Sequence, residues 1–128
     1  MGLIEAAPVL VTRDLRAALE RLSRLGFTTS AYTDEHGADD YYGYAESGGV
    51  HLHVTRVSQL DPRKNVVAVY LYVDDAEETM AAWSAAGVDG RFHPLEDTPY
   101  GLREGAYVDP DGNLIRFGSW LPGHGPTG

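Results

Sequence analysis

The chain repeats itself. Moved along by 61 positions, Ala7, Leu10, Asp14, Ser23 and Gly26 fall on Ala68, Leu71, Asp75, Ser84 and Gly87. Moved by 63, Gly49 falls on Gly112 and His53 on Arg116. Self-similarity at a fixed period is the mark of repeated structural units. In a chain of 128 residues it leaves room for two copies of one small unit.

The local patterns within each copy agree with that. In the first, Ile4 to Val11 is an apolar run interrupted by Pro8, which suits an edge strand. Asp14 stands at a helix N-cap, and Leu15, Ala18, Leu19, Leu22 and Leu25 follow at helical spacing. Gly26 ends that helix. Phe27 to Tyr32, Tyr41 to Ala45 and Val50 to Val57 read as strands, the last two joined through Ser47-Gly48-Gly49. Ser58 to Asn65 is a linker.

In the second copy, Val66 to Val73 is a strand and Asp75 the next N-cap, with Glu78 completing a capping box. Ala76, Met80 and Trp83 mark the buried stripe of the helix, and Gly87 ends it. A short strand over Val88 to Phe92 precedes the stretch TPYGLREGAYVDPDGNLIRFG, Thr98 to Gly118. That stretch reads as a loop, a strand, a turn at Asp109-Pro110-Asp111-Gly112 and a final strand. The predicted fold is α+β, two tandem βαβββ modules over 1–60 and 61–121, with a flexible tail over 122–128.

Charge and composition narrow the function. The net charge of -9 argues against nucleic acid, which needs clustered Lys and Arg, and favours cationic ligands. There is no cysteine, so disulfides, thiolate zinc sites and cysteine nucleophiles are excluded. No apolar run approaches the roughly 20 residues of a membrane span, and the start lacks the pattern of a signal peptide. These features predict a cytoplasmic protein that works without a membrane. The sequence holds no GxSxG elbow, phosphate loop or GxGxxG.

A doubled βαβββ module entered by TRDLRAALERLSRLGF and left by VDPDGNLIRFG resembles the glyoxalase/bleomycin resistance protein/dioxygenase superfamily, the vicinal oxygen chelate group. The resemblance implies that each module curls into a half-open sheet and that two of them surround a cavity. Enzymes of the group hold a divalent metal there, with ligands from the first and last strand of each module. Those positions correspond here to Ala7, His53, Ala68 and Arg116. Alanine cannot ligate a metal, and a guanidinium repels one. One histidine falls short of the usual three protein ligands. The expectation is therefore no metal, no cofactor and no catalysis.

The bleomycin resistance branch of the family fits better. Its members resemble this fold with the metal site erased and sequester the drug in crevices of a homodimer. The segment TPYGLREGAYVDPDGN is similar to their ligand loop, with Tyr100 as its aromatic, followed by Gly101 and Arg103. DDYYGYAESGGVHLH is similar to their third and fourth strands and offers Tyr42, with Tyr41 as the alternative one residue away. His51, His53 and Arg116 complete the expected ligand-binding set. Asp39, Asp40, Glu96, Asp97 and Glu104 are the acids expected to attract a cationic tail. The alternative is a metal-dependent lyase, isomerase or dioxygenase using His51 or His53, or a binding protein for another small molecule.

Overall fold

The computed structural model describes residues 2–125 and divides into two compact units between Leu60 and Asp61. The first contains β1 (Val9–Thr12), α1 (Leu15–Arg24), β2 (Thr28–Ala31), β3 (Tyr42–Ser47) and β4 (Val50–Arg56). The second contains β5 (Ala68–Tyr72), α2 (Ala76–Ser84), β6 (Arg91–Asp97), β7 (Leu102–Val108) and β8 (Leu114–Trp120). Each is a βαβββ module, so the chain is α+β and built of two tandem modules. The sheet orders are β1-β4-β3-β2 and β5-β8-β7-β6. In both, the first strand runs parallel to the last and the other pairs are antiparallel.

The repeat extends to register. Leu10 pairs with Val54, and Leu71 with Phe117, which are the same two positions displaced by 61 and 63. Both helices start in the same way. Asp14 has φ -144 and ψ 103, and its carboxylate accepts from the Ala17 amide at 3.1 Å. Asp75 has φ -147 and ψ 106 and accepts from the amides of Glu77 and Glu78 at 3.0 and 3.1 Å. These bonds satisfy donors that the first helical turn leaves unpaired. Gly26 and Gly87 end the helices with φ of 101 and 73, where a side chain would be strained.

Two strands differ from expectation. β1 begins only at Val9, because Pro8 has no amide to give the ladder; its carbonyl instead accepts from the His53 amide at 2.9 Å. β6 begins at Arg91 and runs on to Asp97, later and longer than the expected strand. Gly90 sits at φ 121, and a Cβ there would meet the Val108 carbonyl, so the chain turns through 87–90 before it can pair. Pro94 is tolerated because β6 is an edge strand and its register shifts between His93 and Glu96.

Side-chain alternation gives each sheet one face against its helix. In the second module Leu71, Ile115 and Phe117 are buried with Trp83 of α2, whose ring meets Phe117 edge-on at 5.2 Å. Ser119 on the same face accepts the Ala76 amide at 2.9 Å. In the first, Leu10, Leu52 and Val54 are buried with Leu15 and Leu22 of α1.

Asp109 organises the turn between β7 and β8. Its carboxylate accepts from the amides of Asp111 and Asn113, each at 3.0 Å, and from the Asn113 side chain at 2.9 Å. Of the expected tail, 126–128 lie outside the described residues. Within it, the His124 amide donates to the Leu121 carbonyl at 3.0 Å, and the His124 ring occupies the space that a side chain on Gly101 would need. No described helix is long and apolar enough to cross a membrane.

Candidate functional site

The face of the second sheet turned away from α2 carries Tyr70 and Tyr72 from β5, Glu104 and Ala106 from β7, and Arg116, Gly118 and Trp120 from β8. Glu104 is its centre, only 8% exposed. Its two carboxylate oxygens accept from the hydroxyls of Tyr70 and Tyr100, each at 2.7 Å. Arg116 reaches both oxygens through Nη2 at 3.4 Å, and its guanidinium lies 5.2 Å from the centre of the Tyr70 ring.

Charge follows from these contacts. Burial raises the Glu104 carboxyl, but the hydrogen bonds from Tyr100 and Tyr70 and the charge of Arg116 outweigh it, and the net shift is downward. Both phenols are raised, Tyr70 by burial and then by Glu104, Tyr100 by its hydrogen bond to Glu104 and then by burial. At neutral pH the cluster is thus a carboxylate, two neutral phenols and a guanidinium.

Tyr100 itself is 58% exposed. It sits within the turn in which Thr98 accepts the Leu102 amide and Gly101 takes φ 90. The ring is therefore presented on the surface while its hydroxyl is held from below. Tyr72, 63% exposed, stacks on Trp120 at 5.9 Å and 18°, and lies 5.0 Å from Tyr70.

The first sheet has a counterpart. The Tyr42 hydroxyl and His53 Nδ1 are 2.7 Å apart. Tyr44, the register partner of His53, meets its ring edge-on at 5.1 Å. Tyr42 pairs in register with Thr55 as Glu104 pairs with Gly118, so Tyr42 and Glu104 are repeat equivalents. Each bonds to the same position of its last strand, His53 in one module and Arg116 in the other. His51 lies opposite Glu46, with Nδ1 at 3.4 Å from its carboxylate. A hollow of about 310 Å³ here is lined by Thr28, Ser30, Tyr44, Glu46, His51 and His53.

The expected residues thus fall into groups. Tyr42, His53 and His51 share one face of the first sheet. Tyr100, Gly101 and Arg116 lie together in the second module. Tyr41 stands apart from the first group, its hydroxyl on Asp34 at 3.1 Å and its ring edge-on to Tyr32. Arg103 lies on the helix side of the second sheet, paired with Glu77 of α2 at 2.5 Å and with Asp97 at 2.7 Å. Among the acids, Asp39 and Asp40 are likewise engaged, by Arg16 at 3.2 Å and Arg56 at 2.8 Å.

Donor chemistry at the metal positions does not fit a divalent ion. Ala68 offers a methyl group, Arg116 a cation, and His53 has Nδ1 committed to Tyr42. Among the described residues no three His, Cys, Asp or Glu side chains come together as a metal site would need.

Tyr44, Tyr70, Tyr72 and Trp120 are absent from the expected set, and Glu104 enters it only as one acid among five. The repeat carries the signal for two of them. Val9 and Val11 displaced by 61 give Tyr70 and Tyr72. Alternation along β8 from Arg116 gives Trp120.

Residues 6–117 match the family model described as Glyoxalase/Bleomycin resistance protein/Dioxygenase superfamily. Among solved structures, the chain is similar to a bleomycin resistance determinant encoded on the transposon Tn5, with 26% identity, 91% of this chain and 98% of that one covered, and a TM-score of 0.79. It is similar to a bleomycin-binding protein complexed with bleomycin, at 26% identity, the same two coverages of 91% and 98%, and a TM-score of 0.78. It is also similar to the bleomycin-binding protein of bleomycin-producing Streptomyces verticillus, complexed with copper(II)-bleomycin, at 25% identity, 91% and 96% coverage, and a TM-score of 0.72. No curated protein matches. With 6–117 matched and the doubled βαβββ architecture in place, the chain belongs to the glyoxalase/bleomycin resistance protein/dioxygenase superfamily.

Proposed function

We propose that this protein binds and sequesters a flat, cationic antibiotic of the bleomycin type, as a cytoplasmic homodimer, and that it makes and breaks no bond in doing so. The observation that carries the reading is the Tyr100 ring, exposed on one side and anchored to buried Glu104 on the other. A ring held in this way loses little freedom when a flat heterocycle stacks on it, so most of the contact energy remains as affinity. Such a contact adds on the order of 1 kcal/mol beyond the burial of area. The similarity of 91% of the chain to bleomycin-binding proteins supports the same ligand class.

The negative net charge adds long-range attraction for a cationic tail. In a dimer, aromatic side chains of two protomers enclose the flat rings from both sides, Tyr100 from one and Tyr42 or Tyr44 from the other.

Titration of the protein with metal-free bleomycin, followed by calorimetry or tryptophan fluorescence, tests the reading. Saturation at one drug per chain is expected. Tyr100→Ala is expected to weaken binding by about ten-fold or more while the protein still folds, with a fall of about 1–3 kcal/mol in stability for the hydrogen bond lost to buried Glu104. Absence of heat and of spectral change at high drug concentration rejects bleomycin as the ligand.

A further inference from the structure

The α2-distal face of the second sheet is ordered in rows. His93, Ala106, Arg116 and Tyr70 lie side by side across β6, β7, β8 and β5. Glu96, Glu104, Gly118 and Tyr72 form the next row. Ala106 is the small member of the first. Above it opens a hollow of about 370 Å³, bounded by His93, Pro94, Glu96, Glu104 and Arg116.

Glu96 stands on the exposed edge strand at the rim of the hollow, whereas on the inner strands β7 and β8 the unused capacity is that of a donor. Glu104 already accepts a short bond on each oxygen, so it has little left to offer a ligand. Arg116 is in the opposite condition. A guanidinium carries five N–H donors, and only Nη2 is directed at Glu104, at the long distance of 3.4 Å. The Tyr100 hydroxyl is its other near partner, and five donors exceed what these two neighbours take up. The Tyr70 ring under the guanidinium and the Glu104 carboxylate beside it fix its plane, and 44% of the side chain is exposed. A planar fork held in place and unsaturated is suited to take up a carbonyl or carboxylate oxygen.

We propose that this hollow receives a hydrogen-bond acceptor of the ligand, an amide carbonyl or a carboxylate, on the guanidinium of Arg116 through the N–H groups that Glu104 leaves unused. The inference rests on the binding role given above and adds which part of the ligand the site reads. The negative net charge draws in a cation from a distance, whereas the contact in the hollow selects an acceptor.

The test compares two probes and two variants by calorimetry. The probes are metal-free bleomycin and its tail-less carboxylic acid form, bleomycinic acid. Arg116→Gln is expected to lose about ten-fold or more in affinity for both, because the acceptor is common to them. Arg116→Lys, which keeps the charge without the planar fork, is expected to recover only part of the loss. Thermal midpoints verify that the variants fold; if Arg116→Gln does not, the Lys variant and the two probes decide the matter. Unchanged affinity in the variants overturns the inference and leaves the binding role intact. A loss confined to the tail-bearing drug also overturns it, since Arg116 would then be reading the tail. Failure of the wild-type protein to bind either probe overturns the binding role itself.

Discussion

Glu104 shows how one buried residue sets the behaviour of several exposed ones. A carboxylate accepts only, so it can hold two phenols and a guanidinium at once, and here it does. Gly118 makes this possible. A Cβ at Gly118 would collide with the Tyr70 hydroxyl, so any larger residue forces Tyr70 off Glu104. Gly118→Ala is expected to destabilise the protein by about 1–3 kcal/mol in urea unfolding. Removing the hydroxyl as well, in Tyr70→Phe with Gly118→Ala, is expected to cost less than the sum of the two single changes, because the clash is lost with the oxygen. Strict additivity would contradict this account of Gly118.

The same residue gives a pH dependence with a definite sign. The carboxyl of Glu104 is lowered in the fold, despite burial, by Tyr100, Tyr70 and Arg116. A group lowered on folding contributes its full stability above its unfolded pKa and loses it as pH falls through the lowered value. Unfolding free energies measured between about pH 7 and pH 3 are therefore expected to fall more steeply in the wild type than in Glu104→Gln. Parallel profiles would show that Glu104 carries no such linkage.

The elements explain which parts of the fold are legible in the sequence. Helix caps and stops depend on single residues acting locally, and Asp14, Gly26, Asp75 and Gly87 all do in the structure what their positions announce. The matched cap geometries lead to a matched expectation. Asp14→Ala and Asp75→Ala should each cost about 1 kcal/mol, measured by thermal or denaturant unfolding. A negligible effect at either would mean that tertiary packing alone holds that helix start. β6 is less legible because its start depends on Gly90, where the Val108 carbonyl leaves no room for a side chain, and its length on a register shift that absorbs Pro94. The site divides in the same way. Tyr100 and Arg116 stand in a recognisable segment, whereas Glu104 and Tyr70 meet only through pairing across β5, β8 and β7. Arg103, adjacent to Glu104 in sequence, points to the other face for the same reason.

For the whole molecule, charge works at two ranges. The excess of acid is spread over the chain, yet Asp39, Asp40 and Asp97 are already engaged by arginines at close range. Attraction of the proposed cationic ligand would thus be a property of the summed field, screened by salt, and not of those carboxylates as contacts. The repeat gives each module the same frame, a parallel pair of first and last strands, and the two last strands place His53 and Arg116 at equivalent points. Neither frame is furnished with a metal-ligand set among the described residues. The proposed role is capture without chemistry. Native mass spectrometry of the protein with metal-free bleomycin, followed by release and weighing of the drug, tests it most directly. A dimer carrying one unaltered drug per chain is expected, with the released drug unchanged in mass. A drug of altered mass, or a protein that carries none at saturating concentration, would contradict it.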